Sequence, residues 1–321
     1  MKTPAVSVLI PTYNYAGYLP EAINSVLAQD FEDFEVIIAD DASTDDTVEV
    51  CRMYEAKDSR IRFIRHEKNL GMVENWNWCL QQARGKYIKY LLADDKFAKP
   101  YALTRLVKAL EQPGVSLSVS ARRLIDEKSQ VTGIWNPLGL RNRIVLGEKL
   151  IPRCLSENAN LIGEPTAVLF RKADALRGFD LCYRQLVDLE MWFHLLQKGN
   201  LAYIGETLCC FRRHHLQQTE QNRKAGRHIP EMISLFDQYG QHCARGWILF
   251  KRINMLRKSD DPAHKELITA TRKQLTTAQF AGWLVLYRLK KPFINLRKSV
   301  NKRMHRILLC REQRSCEKTN L

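Results

Sequence analysis

No run of apolar residues in this 321-residue chain approaches the ~18 needed to span a bilayer. The first such run, Val6–Ile10, is closed by Pro11 before it reaches the length of a signal-peptide core. There is no Cys-x-x-Cys. The nine cysteines are odd in number and scattered, and the adjacent pair Cys209-Cys210 is poor geometry for a disulfide. That usage argues against a disulfide scaffold and fits reduced, cytosolic thiols serving as small core residues. Gly-x-Gly-x-x-Gly and the Walker lysine loop are both missing, which argues against the common dinucleotide and P-loop sites. Acidic residues run short in one region only. Residues 221–321 hold 22 Lys/Arg and 7 Asp/Glu, whereas residues 1–220 hold 28 of each, so the whole net charge of +15 belongs to the last third.

What is present is a core-forming chain, 45% hydrophobic and 26% charged. Over the first 120 residues, strand-like runs (Val6–Ile10, Phe34–Ala39, Ile61–Arg65, Lys86–Leu92) alternate with helical spacing. Leu19, Ala22, Ile23 and Val26 make one stripe, Val73, Trp76, Leu80 and Ala83 another, and Leu103, Leu106, Val107 and Leu110 a third. That alternation predicts an α/β fold with a mostly parallel sheet. Ser43-x-x-Asp46 has the spacing of a capping box. Residues 121–165 are less regular. Val168–Phe170 reads as a strand, Val187–Gln197 as a helix with core residues Met191, Trp192, Leu195 and Leu196, and Leu208–Phe211 as a strand before Arg212-Arg213-His214-His215. Beyond residue 221 the pattern is helical and basic, over Ile229–Tyr239, Trp247–Leu256 and Phe280–Leu289. After Pro292, Phe293, Leu296, Val300, Met304 and Ile307 form one stripe of an amphipathic helix.

Two of the strands end in paired carboxylates, Asp40-Asp41 and Asp94-Asp95. In an open α/β sheet the ligand crevice lies beyond the carboxyl ends of the strands. Aspartates are also ordinary turn residues. Two pairs at two strand ends could accept from nucleobase and ribose donors on one side and hold a divalent cation carrying a diphosphate on the other.

The blocks Val6–Asn14, Val36–Asp45, Asn69-x-Gly71 with Asn75, and Gly85-x-Tyr87 running into Asp94-Asp95 resemble the family 2 glycosyltransferases of the GT-A fold. The likeness continues, in the family's order, through Glu164–Arg171, Gly178-Phe-Asp180, Asp188-x-Glu190-x-Trp192 and Arg212-x-His214-x-x-Gln217, so it covers residues 4–220. It implies a GT-A domain over residues 1–220, with a nucleotide-binding half (1–95) and an acceptor half (96–220), followed by a basic helical region (221–321). It also implies an inverting transfer from a nucleotide-diphosphate sugar, a UDP-sugar first, to a saccharide or lipid-linked saccharide acceptor.

By the same resemblance Pro11, Thr12, Tyr13 and Asp40 line the base and ribose pocket, with Asn14, Asp41, Asn69, Gly71 and Asn75 in the surrounding motifs. Asp94 and Asp95 match the metal motif for Mn²⁺ or Mg²⁺, Asp95 first. Leu92 stands where the family usually has a further aspartate. Asp188 matches the catalytic base, and Arg212 and His214 a motif facing the diphosphate. The residues alone leave alternatives: Glu190 for the base, His215 for His214, and turn or helix-start roles for Asn14, Asn69 and Asn75.

Inversion needs one base to take the acceptor's proton, and the nucleoside diphosphate leaves readily once its charge is neutralised. The basic, aromatic tail predicts contact with an anionic membrane surface, hence a cytoplasmic enzyme peripheral to the inner face of the membrane in cell-surface polysaccharide or lipopolysaccharide assembly. No nucleic-acid module is visible. A non-catalytic scaffold with this fold is the competing reading, opposed by the complete set Asp40, Asp94, Asp95 and Asp188.

Overall fold

The computed structural model describes residues 3–289, apart from 216, 219–221, 223–227, 241–244, 258–262 and 274. The amphipathic stripe expected after Pro292 lies outside the described residues. The chain divides into two compact units, Met1–Gly147 with Leu161–His215, and Glu148–Asn160 with Leu216–Leu321.

The first unit opens as a strand–helix alternation. It runs β1 (Val6–Thr12), α1 (Leu19–Leu27), β2 (Phe34–Asp40), α2 (Thr47–Lys57), β3 (Ile61–Arg65), α3 (Met72–Gln82), β4 (Tyr87–Tyr90), the short β5 (Lys96–Phe97) and α4 (Ala102–Leu110). There follow β6 (Val115–Ile125), β7 (Val131–Trp135), β8 (Arg143–Val145), β9 (Val168–Arg171), α6 (Val187–Leu196) and β10 (Asn200–Arg212); α5 (Gly147–Glu157), between β8 and β9 in the chain, belongs beyond Gly147 to the second unit. The ten strands among the described residues share one sheet in the order β3-β2-β1-β4-β9-β6-β10-β5, with β7 on β6 and β8 on β10. The stretch β3-β2-β1-β4 is parallel, as the early alternation predicts. Beyond it the sheet is mixed. β9 enters antiparallel between β4 and β6, and β10 runs parallel to β6.

Central strands buried on both faces need continuous apolar sequence, and every residue of β1, β2 and β4 is buried. Most of the polar exceptions are bonded, Thr12 Oγ1 at the end of β1 being left without a partner among the described residues. Ser7 donates to Glu35 at 2.6 Å and accepts from the Gly85 N–H at 2.8 Å. The core under this half joins Val8, Ile10, Ile23, Val26, Val36, Ile38, Leu103, Leu106 and Leu208. The face with α6 is aromatic: Trp76, Tyr90, Phe170, Phe179 and Trp192 meet at ring separations of 5.3–6.4 Å.

The strand order reverses at β1. β1 continues alongside β2 to Thr12↔Asp40, but its pairing with β4 stops at Leu9↔Tyr90. The two strands part over the last residues of β1, and this switch point opens a crevice at the carboxyl end of the sheet. Pro11 falls in the stretch no longer paired to β4, where its missing N–H breaks no ladder bond on that side.

The capping box expected at Ser43-x-x-Asp46 does not form. α2 starts at Thr47 with Asp46 at its N-cap and no side-chain cap bond. Ser43 turns back toward the strand ends instead, and Asp45 accepts from the N–H and hydroxyl of Thr47. Short polar side chains have local backbone partners that compete with capping.

The second unit contains α7 (His228–Tyr239), α8 (Arg245–Leu256), α9 (Ala263–Lys273) and a further helical run over 277–289 (α10). Leu249, Ile253 and Leu275 form a small core there with Ile268 and Phe280.

Candidate active site

The ends of β1 and β2 make one wall of the crevice. Asp41 is buried and works as a clamp: its Oδ1 accepts from the Leu70 N–H at 2.7 Å and its Oδ2 from the Gly71 N–H at 2.9 Å, while its carbonyl accepts from Asn69 at 3.0 Å. Gly71 is required at this turn, because its φ of +90° opens α3 in a conformation other residues rarely adopt. Asn75 holds the same loop, donating to Ala39 O at 3.0 Å, with its carbonyl oxygen 3.1 Å from His66 Nε2. Asn14, at φ 57°, accepts from the Thr44 N–H at 2.8 Å, and its own N–H donates to Ser43 Oγ at 2.8 Å. All four side chains therefore fasten loops.

Asp40 lies in the same wall, fully buried. Ser43 donates to it through N–H and hydroxyl, and Arg65 Nε is 3.6 Å away. Burial nevertheless raises its pKa above the ordinary carboxylate value. Thr12 Oγ1 is buried beside it with no hydrogen-bond partner among the described residues, and Tyr13 is 44% exposed at the rim.

The second wall is the Asp94-Asp95 turn after β4. Asp95 is 1% exposed and faces inward. Its Oδ1 accepts from the Arg212 N–H at 2.8 Å and its Oδ2 from the Thr166 hydroxyl. Burial, then the adjacent Asp94 charge, holds Asp95 well above the usual carboxylate range. Asp94 turns the other way. Its Oδ2 is 3.0 Å from His214 Nε2, and no hydrogen bond among the described residues reaches its Oδ1.

His214 is seated between the rings of Tyr15 and Tyr18, at 5.8 and 5.3 Å, and its Nδ1 is buried without a partner among the described residues. His215 points away, exposed, to Glu127 at 3.0 Å. Arg212 is 1% exposed and sits behind the turn. Its guanidinium donates to Asp94 O at 2.6 Å, to Asp126 O at 2.8 Å, to Ser129 Oγ at 2.9 Å and to Glu21, and lies over the Tyr18 ring at 4.8 Å. The structure gives Arg212 the role of a brace for the aspartate turn, with its donors committed to protein.

Asp188 is the second residue of α6, partly buried. Burial, then the Glu164 charge, pushes its pKa up to about 7, against the lowering effect of the Leu189 N–H at 2.7 Å. Glu190, two residues on, is fully buried and bidentate to Arg177 Nη2 at 2.7 and 2.8 Å, which leaves it poorly placed to move protons. The segment before β9 joins this helix to the second wall. Trp192 Nε1 donates to Gly163 O at 2.8 Å, Glu164 acts on both Asp95 and Asp188, and Thr166 holds Asp95.

Sequence reasoning missed Lys89. It stands in the middle of β4, 0% exposed, with Nζ donating to Thr166 O and, at 3.4 Å, to Val168 O. Burial lowers its pKa. It thereby props the 165–168 segment under Asp95. The signal was a single lysine inside an otherwise apolar central strand. Glu21 and Glu164 were missed because neither stands out from its neighbours in sequence.

Among the described residues, no group of three or more His, Cys, Asp or Glu converges on one point. The outward set is Asp94 with His214. One carboxylate plus an imidazole is a partial donor set that suits Mn²⁺ better than Mg²⁺, with phosphate oxygens and water completing the sphere. The orphaned Nδ1 of His214 and the open Oδ1 of Asp94 are compatible with such an ion. Among the described residues no helix is long and apolar enough to cross a membrane.

A family model described as Glycosyl transferase family 2 matches residues 7–174. A Bacillus subtilis (strain 168) protein named as a teichuronic acid biosynthesis glycosyltransferase, TuaG, is 29% identical over 211 residues, 65% of this chain and 79% of its own. Among solved structures, the mannosyltransferase PcManGT from Pyrobaculum calidifontis, in complex with GDP-Man and Mn2+, superposes with a TM-score of 0.56 at 18% identity, covering 90% of this chain and 87% of that one. S. aureus TarS 1-349 in complex with UDP-GlcNAc gives a TM-score of 0.56 at 17% identity, covering 87% and 79%. At those identities the structures share the fold.

Proposed function

From the chain's membership of glycosyl transferase family 2, which makes it a glycosyltransferase, we propose that it moves a sugar with inversion from a nucleoside-diphosphate sugar, a UDP-sugar first, to a saccharide or lipid-linked saccharide hydroxyl. The single observation that carries the chemistry is Asp188, whose pKa is pushed up to about 7 at the head of α6. A carboxylate in that range holds a useful fraction of its base form at neutral pH and is a stronger acceptor than an ordinary aspartate. Asp188 takes the proton of the acceptor hydroxyl as that oxygen bonds to the anomeric carbon. The bond from that carbon to the diphosphate breaks, and the nucleoside diphosphate leaves with the electron pair.

The β1–β2 wall, with Asp40, Thr12 and Tyr13, is assigned to base and ribose. Asp94 and His214 would hold Mn²⁺ or Mg²⁺, and Asp95 positions Asp94 from behind. Bound there, the cation would neutralise charge developing on the leaving diphosphate. TarS with UDP-GlcNAc and PcManGT with GDP-Man and Mn2+ support a nucleotide-sugar donor and a divalent ion. The acceptor is assigned to cell-surface polysaccharide or lipopolysaccharide assembly, and the teichuronic acid in the name of TuaG supports the first of these. The basic last third supports peripheral attachment to the inner face of a membrane.

A panel of UDP- and GDP-sugars with Mn²⁺, then with chelator, tests this reading. Turnover is expected with at least one donor, lost on chelation, with the product's anomeric configuration opposite to the donor's. Asp188→Asn is expected to lower kcat by about 10²–10⁴-fold. In the parent, kcat rises with pH through about 7, because below that value Asp188 is protonated and cannot accept. The reading fails if no donor binds or turns over, and the base assignment fails if Asp188→Asn keeps full activity while Glu190→Gln loses it.

A further inference from the structure

The second unit carries a helix face that the transfer reaction does not use. On one side of α10, Phe280 and Tyr287 pack their rings against Phe250 of α8 at 5.4 and 5.8 Å, with Arg272 over Phe280 at 4.4 Å and Lys251 over Tyr287 at 5.4 Å. Helical spacing puts Ala278, Gly282, Val285, Leu286 and Leu289 on the opposite side. All five are exposed, Val285 at 56% and Leu289 at 61%, and a Cβ built on Gly282 would meet nothing within 4 Å. No polar or charged residue interrupts the stripe. A solvent-facing helix side normally carries polar residues, so a helix apolar on both sides has a second surface to cover.

We propose that the Val285, Leu286 and Leu289 stripe seats α10 on an anionic lipid surface. This rests on the membrane attachment proposed above and names the element that makes the contact. Charge selects the occupant. Arg288 stands at the flank of the stripe, Lys290 and Lys291 follow it in sequence, and residues 221–321 carry 22 Lys/Arg against 7 Asp/Glu. A second copy of the chain would bring the same positive excess against itself. Anionic headgroups complement that excess, and three aliphatic side chains free of charge reach the acyl boundary beneath them.

Flotation of the full-length chain with phosphatidylglycerol-containing vesicles and with pure phosphatidylcholine vesicles, at low and high salt, tests this. The parent is expected to float with the anionic vesicles at low salt only. The triple variant Val285→Ser, Leu286→Gln, Leu289→Gln is expected to partition at least tenfold less. Leu176→Gln, at a leucine 75% exposed in the first unit, should float like the parent. Turnover of donor with a soluble acceptor should be unchanged in both, which separates loss of membrane contact from loss of the transferase. If the triple variant floats as well as the parent, charge alone makes the contact and the stripe proposal is wrong. A parent that ignores anionic vesicles overturns the attachment as well. A dimer that becomes monomeric in the triple variant, with flotation intact, makes a second copy the occupant.

Discussion

Asp40-Asp41 and Asp94-Asp95 are the same dipeptide at the same place, the carboxyl end of a buried parallel strand beside the switch point, yet their environments differ. In each pair the second aspartate is the one tied inward, but what ties it, and what is left to the first, differ. After β2 the second residue, Asp41, is the clamp, taking two backbone N–H groups from the 70–71 turn. After β4 the second residue, Asp95, is again tied inward, but to a backbone N–H and a hydroxyl from distant segments, and its neighbour Asp94 is left with a histidine and an open oxygen. Asp40, by contrast, is closed over by Ser43 and faced by Arg65. Two carboxylates in a row therefore do not specify two ligands. What each can bind is set by whichever donors the rest of the chain has already spent on it.

Substitutions can break that comparison. The largest effect is expected at Asp94: Asp94→Asn should lower donor turnover by about 10³-fold, roughly 4 kcal/mol of transition-state stabilisation, with an unchanged melting temperature, and should abolish the response to added Mn²⁺. Arg212→Met should act on stability, at about 3 kcal/mol, because it strips the brace from a buried turn. The value falls at the low end since its partner Glu21 is 37% exposed. Urea unfolding measures it. Asp41→Asn keeps one acceptor oxygen for two N–H donors and should cost about 1–3 kcal/mol in the same assay, with kcat close to the parent's. A collapse of kcat there would mean that the two pairs are functionally alike. The smallest effect belongs to Arg65→Ala, below about 1 kcal/mol, because that side chain is 51% exposed and 3.6 Å from Asp40.

The parts of the site legible in sequence were those carried by short-range pattern. The parallel strands β1 to β4 follow from alternation and the paired aspartates from their position at strand ends, while Asp188 and His214 enter as candidates from a resemblance in block order. Which aspartate faces out was not legible, because Asp95 is held by Thr166 and Arg212, 71 and 117 positions away. Arg212 itself reads as a cationic ligand until Glu21, 191 positions distant, is seen to occupy it. A lone lysine in the apolar run of β4 signals that Lys89 is buried, but not what it props, because its acceptor Thr166 O lies 77 positions away. The capping box at Ser43 misled for the opposite reason: the local pattern was real, but Asp40 and Asn14 offered Ser43 better partners.

β10 is the last strand of the sheet in the chain, yet it lies between β6 and β5 in space. Until it is synthesised, β6 has an open edge, and the sheet emerging from the ribosome is unfinished on that side. Its final residue is Arg212, whose N–H and guanidinium fix Asp95 and the Asp94 carbonyl. Closing the sheet and fixing the Asp94-Asp95 turn are thus one event in folding. A nascent chain cannot set this aspartate turn before its last strand is in place, and lesions anywhere in that strand should surface as insoluble protein before they surface as slow enzyme.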